Sequence, residues 1–328
     1  MRFLLRSALL LLTSATRHSF TSIGFRSRTS LQRRFMTEFS GDHHPRGEVL
    51  VDFDANLLHD ALKADIDEHI SIAREHANVQ YFVVPGSGLG DSSDALSLSR
   101  SRGESIVATA GVHPYHVIDE TDIYSKENQE VLRGLCSQDS CMAVGETGLD
   151  YSEGFPDREP QLQWFRFQVS LALERNLPLF LHIRDAKADF LATMAEMGFP
   201  DKGPPPIRAC VHCFTGDTEE LKQYVEMGFY IGLTGYIFSM NDSPKLKEWL
   251  DIIPADRLVI ETDAPYLGRA GCRASTQKKK KKARFPNVPA SLSIICHELA
   301  STSGRSYDDM ASSTTRNALE FFGLNTTR

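Results

Sequence analysis

Four short apolar runs of this sequence end in side chains that bind divalent metals. "CMAVGE" closes on Glu146, "LPLFLHI" carries His182 and "IRACVHC" carries His212 next to their ends, and "RLVIETD" closes on Asp263. One histidine at the end of such a run is ordinarily a hydrogen-bonded structural residue. Four ligand types in four separate runs read differently, because gathered carboxylates and imidazoles repel, or are costly to bury, unless a cation compensates them. A divalent ion at such a cluster would make water nucleophilic at neutral pH and polarise a phosphoryl oxygen. Asp263 or Glu146 would then take the proton. Mixed nitrogen and oxygen ligation suits zinc, manganese, iron or cobalt better than magnesium, which prefers all-oxygen octahedra.

Such residues need elements that bring them together, and the chain between them has the required organisation. From residue 48 onward, β-branched apolar runs alternate with segments of helical period. The eight candidate strands are "EVLVDFD" (48–54), "VQYFVVP" (79–85), "SIVATAGV" (105–112), "CMAVGE" (141–146), "LPLFLHI" (177–183), "IRACVHC" (207–213), "GFYIGLTG" (228–235) and "RLVIETD" (257–263). Between the fourth and fifth, Leu162, Phe165, Val169 and Leu173 repeat every three or four residues, the apolar face of a helix. Before another helix, in "DSPKLKEWLDII", Ser243 is the expected N-cap and Pro244 sits in the first turn. Eight strand–helix repeats predict an α/β fold, a (β/α)8 TIM barrel, whose strand C-termini gather the functional groups. A doubly wound open sheet is the alternative, but no G-x-G-x-x-G fingerprint follows the first strand.

The 328 residues, 41% hydrophobic, suffice for one barrel with extensions. No apolar run reaches the roughly 18 residues of a bilayer span, so no membrane is expected. A net charge of -7 means that any nucleic acid would be held by a local basic patch and a metal rather than by the whole surface. Six cysteines lack the spacing of a disulfide framework and read as reduced thiols, with Cys210 and Cys213 as small core residues. Residues 1–37 carry seven arginines and many serines, with no acidic residue before Glu38. That is the composition of a transit peptide, and a mitochondrial destination is expected. A plastid or secretory route, and a cytosolic form starting at Met36, are the alternatives. Residues 38–47, with His43 and His44, form a linker to a barrel over 48–325.

The motifs "GVHPYH", "VGETGLDY", "LPLFLHIRDA", "VHCFTG", "GFYIGLTGYI" and "IETDAPYL", in this order, resemble the TatD family of metal-dependent deoxyribonucleases, in the amidohydrolase-like barrel superfamily. The resemblance covers roughly residues 48–322. It implies that Glu146, His182, His212 and Asp263 are metal ligands and that Asp263 also handles the proton of the attacking water. It further implies that His113 orients substrate phosphate, that Mg2+ supports activity, and that "RNALEFFGL", with Asn317, is a closing helix. Two departures stand out. Where many members carry H-x-H after the first strand, this chain has Asp54 and Asn56, which could bind a hard cation only through oxygen. One tightly held ion is therefore expected, with a second weaker or dependent on substrate phosphate. In the segment reading "ARFPNVPASL", Asn287 and Pro289 fit the family's R-N-E-P while Pro286 and Val288 do not.

Other residues complete the expected site. Arg184 follows His182 closely enough to clamp a phosphate, with a surface ion pair as the other reading. Lys278, Lys279 and Lys280 begin the run "KKKKKAR" after the eighth strand, either a solvated loop or a contact to a nucleic-acid backbone. His116 lies near His113 without an assigned role. Together these readings predict a monomeric hydrolase that uses a divalent metal, Mg2+ or alternatively Zn2+ or Mn2+, to trim single-stranded or damaged DNA from a 3′ end. RNA or tRNA is a further candidate substrate, and hydrolysis of an amide or an aminoacyl-tRNA ester is the alternative activity. A nucleic-acid binder without catalysis is a third reading, opposed by the presence of all four candidate ligands.

Overall fold

The structure, a computed structural model, describes residues 48–240, 244–268 and 287–324. The leader and linker, Ser243, Cys272, Pro286 and the lysine run with Lys278, Lys279 and Lys280 lie outside the described residues. Eight parallel strands follow one another in sequence order: β1 (Leu50–Asp52), β2 (Val79–Val84), β3 (Ile106–Ala110), β4 (Cys141–Asp150), β5 (Leu179–Arg184), β6 (Ala209–Val211), β7 (Tyr230–Leu233) and β8 (Leu258–Ile260). The circle closes between first and last, where Phe53 N–H donates to Ile260 O and Asp263 N–H to Asp54 O. Ala55 and Ala264 add a parallel bridge there. This is the (β/α)8 TIM barrel that the alternation predicts.

Helices separate the strands: α1 (Ile66–Ala77), α2 (Leu89–Arg102), α3 (Lys126–Leu135), α4 (Arg158–Arg175), α5 (Lys187–Glu196), α6 (Thr218–Glu226) and α7 (Pro244–Ile252). After β8 come α8 (Leu292–Ser303) and α9 (Tyr307–Phe322). In α4 the predicted stripe of Leu162, Phe165 and Val169 is buried against the sheet. Among the described residues, no helix is long and apolar enough to cross a membrane.

Two cores result. The outer one fills the space between sheet and helices, and the inner one fills the barrel with one layer from every strand: Val51, Val83, Val107, Ala143, Phe180, Cys210, Tyr230 and Val259. Phe321 and Phe322 of α9 seal this layer from below, with Phe321 packed edge-on to Phe53 at 5.2 Å between ring centroids. Asn317 fixes the seal by donating to Ala255 O and Leu258 O, both at 2.8 Å. The floor of the barrel is thus apolar. Because side chains alternate along a strand, two residues further on is the next inward position. From Phe180, Cys210 and Val259 that step reaches His182, His212 and Glu261.

Seven of the eight strands are shorter than the apolar runs that predict them, while β4 is longer and runs on through Glu146 to Asp150. β6 ends at Val211 and β8 at Ile260, and the residues just beyond keep single backbone bonds to the neighbouring strands, His212 N–H to Leu181 O and Asp263 N–H to Asp54 O. Cys213 and Asp263 take left-handed backbone conformations, with φ of 45° and 51°, sparsely populated by non-glycine residues. Cys213 consequently faces the mouth, its Sγ 3.8 Å from Asp263 Oδ2, while Cys210 stays in the inner core as expected. The five cysteines within the described residues are free thiols.

Candidate metal centre

Glu146 lies in the middle of β4, where the register against β5 shifts between Val144 and Thr147, an irregularity of the kind that re-aims a side chain. Its Oε1 is approached by three imidazoles: His212 Nε2 at 2.7 Å, His182 Nδ1 at 3.2 Å and His113 Nε2 at 3.3 Å. The three rings come from the ends of β6, β5 and β3. Room for them is made by glycine. A Cβ on Gly148 would stand 1.8 Å from His182 O, and one on Gly145 would stand 2.3 Å from Phe180 O.

On the far side of His212 is a second group. Its Nδ1 lies 3.0 Å from Asp54 Oδ2 and 3.8 Å from Glu261 Oε1. The Asp54 contact has the distance of an ion pair but not the alignment of a hydrogen bond, so both Asp54 oxygens, His212 Nδ1 and Glu261 Oε2 are buried without a hydrogen-bond partner. Asp263 faces the same space, with Oδ1 accepting from Asn56 Nδ2 at 3.0 Å. His212 therefore bridges two ligand groups, His113–Glu146–His182 and Asp54–His212–Glu261.

Charge at this site is poorly balanced. Burial pushes Asp54 well above the usual carboxylate range against the pull of His212. Burial also lifts Glu261 to about 7 and Asp263 to about 6. Glu146 goes the other way, because the imidazoles of His113, His212 and His182 outweigh the effect of its burial. His212 is raised for the matching reason, since Glu146, Asp54 and Glu261 overcome its desolvation. Burial holds His113 down to about 3, so its ring is neutral at physiological pH. The backbone N–H of Tyr115 donates to His113 Nδ1 at 3.1 Å, which leaves the ring proton on Nε2. Three buried carboxylates and the half-buried Asp263 around three imidazoles, several oxygens lacking a donor, form a nitrogen and oxygen set that fits a divalent cation.

The other sequence candidates are distributed differently. Arg184 is exposed at the end of β5, and among the described residues it pairs with no carboxylate. His116 turns outward, with Nδ1 2.6 Å from Asp119 Oδ2. Two buried acids escaped the sequence reading. Glu261 precedes Asp263 by two, and Asp150 follows Glu146 by four, so in both cases the period of a strand, applied to the whole motif, was the available signal.

Asp150 accepts from His182 Nε2 at 2.9 Å and leaves Nδ1 turned to Glu146. Its own backbone is clamped by Gln161, which accepts from Asp150 N–H at 2.8 Å and donates to Asp150 O at 2.7 Å. A carboxylate on the second nitrogen of a ligating histidine fixes the tautomer and raises basicity. Asp150→Asn is accordingly expected to weaken metal binding about tenfold, measured by titration of the metal-stripped protein. Unchanged affinity would show that Asp150 only packs.

The family profile described as TatD related DNase matches residues 51–323. The "3′-5′ ssDNA/RNA exonuclease TatD" of Erwinia tasmaniensis is 35% identical over 276 residues, which span 84% of this chain and 100% of that protein. The protein of the same name from Escherichia coli (strain K12) is 34% identical over 275 residues, 84% of this chain and 99% of its own. Among solved structures, a hydrolase TatD family protein from Entamoeba histolytica aligns with a TM-score of 0.70 at 25% identity, covering 84% of this chain and 98% of that one. A TatD homologue from Escherichia coli K12 shares the fold, with a TM-score of 0.68 at 21% identity over 84% of this chain and 98% of its own.

Proposed function

The chain belongs to the TatD-related DNase family, hydrolases of phosphodiester bonds, and on that premise we propose that it is a metal-dependent 3′-5′ exonuclease on single-stranded or damaged DNA. The observation that carries this reading is the convergence of His113, His182 and His212 on one oxygen of Glu146 at the barrel mouth. Relatives at 34–35% identity named as single-strand exonucleases supply the polarity and the strandedness.

Glu146, His182, His212 and Asp263 would hold the ion, with Asp54 and Glu261 behind His212 adding negative charge. A cation held there would supply Lewis-acid polarisation of a phosphoryl group and a water acidic enough to attack near neutral pH. Asp263, oriented by Asn56 at 3.0 Å, would take the proton of the attacking water. His113 donates from Nε2 to a nonbridging oxygen as charge develops there. Attack at phosphorus breaks the P–O3′ bond and leaves the phosphate on the 5′ carbon of the released nucleotide. Arg184, Lys278, Lys279 and Lys280 would bind the backbone of the remaining strand. Magnesium, manganese and zinc are the ions to compare.

A labelled single strand incubated with and without divalent metal tests the reading. Stepwise release of 5′-mononucleotides from the 3′ end, only with metal, is expected. Intact DNA beside rapid hydrolysis of aminoacyl esters would replace the proposal with the ester hydrolase. We also propose that the arginine-rich leader addresses the protein to mitochondria. A fluorescent fusion of residues 1–40 should be imported, and one beginning at Met36 should remain cytosolic; a diffuse 1–40 fusion ends that idea.

A further inference from the structure

Beside the ligand cluster stands an aromatic wall that the hydrolytic steps leave unused. Tyr115, in the loop after β3, is 54% exposed. Its ring meets that of Phe155, in the loop after β4, edge to face at 5.5 Å and 79°. Phe155 in turn lies 6.1 Å from the His113 ring and 6.4 Å from the His182 ring, nearly parallel to the latter at 17°. The wall and the site are also joined through the backbone, since the Tyr115 N–H is the donor that fixes the His113 tautomer. The Tyr115 ring stands half exposed two residues from His113, which would engage phosphate, so it is open to an aromatic partner beside the site.

Resting on the nuclease reading, we propose that Tyr115 and Phe155 form a stacking platform for the base of the 3′-terminal nucleotide while its phosphate lies at His113 and Glu146. The distance from the His113 ring to Phe155 suits the reach of one nucleotide from phosphate to base. Every base has a π-face, so the platform selects for an unstacked end and not for sequence. A base inside a duplex has both faces covered by its neighbours, and it must leave the stack before it can reach this wall. The preference for single strands then follows from aromatic contact at the end being trimmed.

Two oligonucleotides separate this proposal from the reading on which it rests: a normal single strand, and the same strand with an abasic 3′-terminal residue. Tyr115→Ala should raise KM on the first by about fivefold to a hundredfold with kcat little changed, and should leave the second unaffected. Tyr115→Phe should behave as the parent protein. As a readout independent of turnover, a strand ending in 2-aminopurine should be quenched on binding the parent chain and not on binding Tyr115→Ala. Equal losses on both oligonucleotides, or quenching that survives in Tyr115→Ala, overturn the platform. If the parent protein cleaves neither strand, the nuclease reading fails, and the quenching experiment still decides whether a base stacks here.

Discussion

Glu146→Gln is expected to leave the barrel folded and to lower nuclease activity at least about a thousandfold, equivalent to roughly 4 kcal/mol of transition-state stabilisation. The reason is the position of one atom. Glu146 Oε1 is within 3.3 Å of a nitrogen from each of three histidines, and its negative charge holds those rings in one place. Glutamine keeps the shape and loses the charge. Its NH2 group would also meet the imidazoles with a donor where an acceptor stood. Elemental analysis should show less retained metal in the variant, and circular dichroism should show an unchanged fold. A variant that keeps both activity and metal would remove Glu146 from the centre.

Metal addition should stabilise the stripped protein more at about pH 7.5 than at about pH 5. Burial raises Glu261 to about 7 and Asp263 to about 6, against about 4 for both in an unfolded chain. A carboxyl raised in the folded state contributes its full stability only below the unfolded value and loses it as pH rises through the folded one. In the metal-free chain these two groups therefore weaken the fold progressively from about pH 4 to about pH 7. A cation that binds their ionised forms reverses the loss and competes with protons at the lower pH. At a free metal concentration a hundred times Kd the gain is about 2.7 kcal/mol, a rise in Tm on the order of 5 °C. Thermal melts of the EDTA-treated protein with and without Mn2+ or Zn2+ give the comparison. An equal shift at both pH values would mean that the ion binds elsewhere.

The eight strands and the apolar stripe of α4 were legible in the sequence because periodicity is local: a run of β-branched residues, or a repeat of three and four, is complete within one element. The approach of each apolar run to the rim was legible for the same reason, and it picked out Glu146, His182, His212 and Asp263, although β4 runs past Glu146 to Asp150 and β6 and β8 stop short of His212 and Asp263. Pairings across elements were not legible. Asp150 meets His182 across 32 positions and Asp54 meets His212 across 158, and nothing in either motif states which ring nitrogen each acid faces. Only closure of the barrel decides that, because the stagger between neighbouring strands sets which inward side chains share a level. The same closure turned Asp54 to the back of His212 rather than beside Glu146, brought Glu261 in as its neighbour, and set Phe155 against the rings of His113 and His182 with Tyr115 from a separate loop against Phe155. Sequence alone determined the elements and the kind of chemistry at their ends; the tertiary structure decided which atoms face one another, since contacts between distant residues depend on strand register that no short stretch of chain encodes.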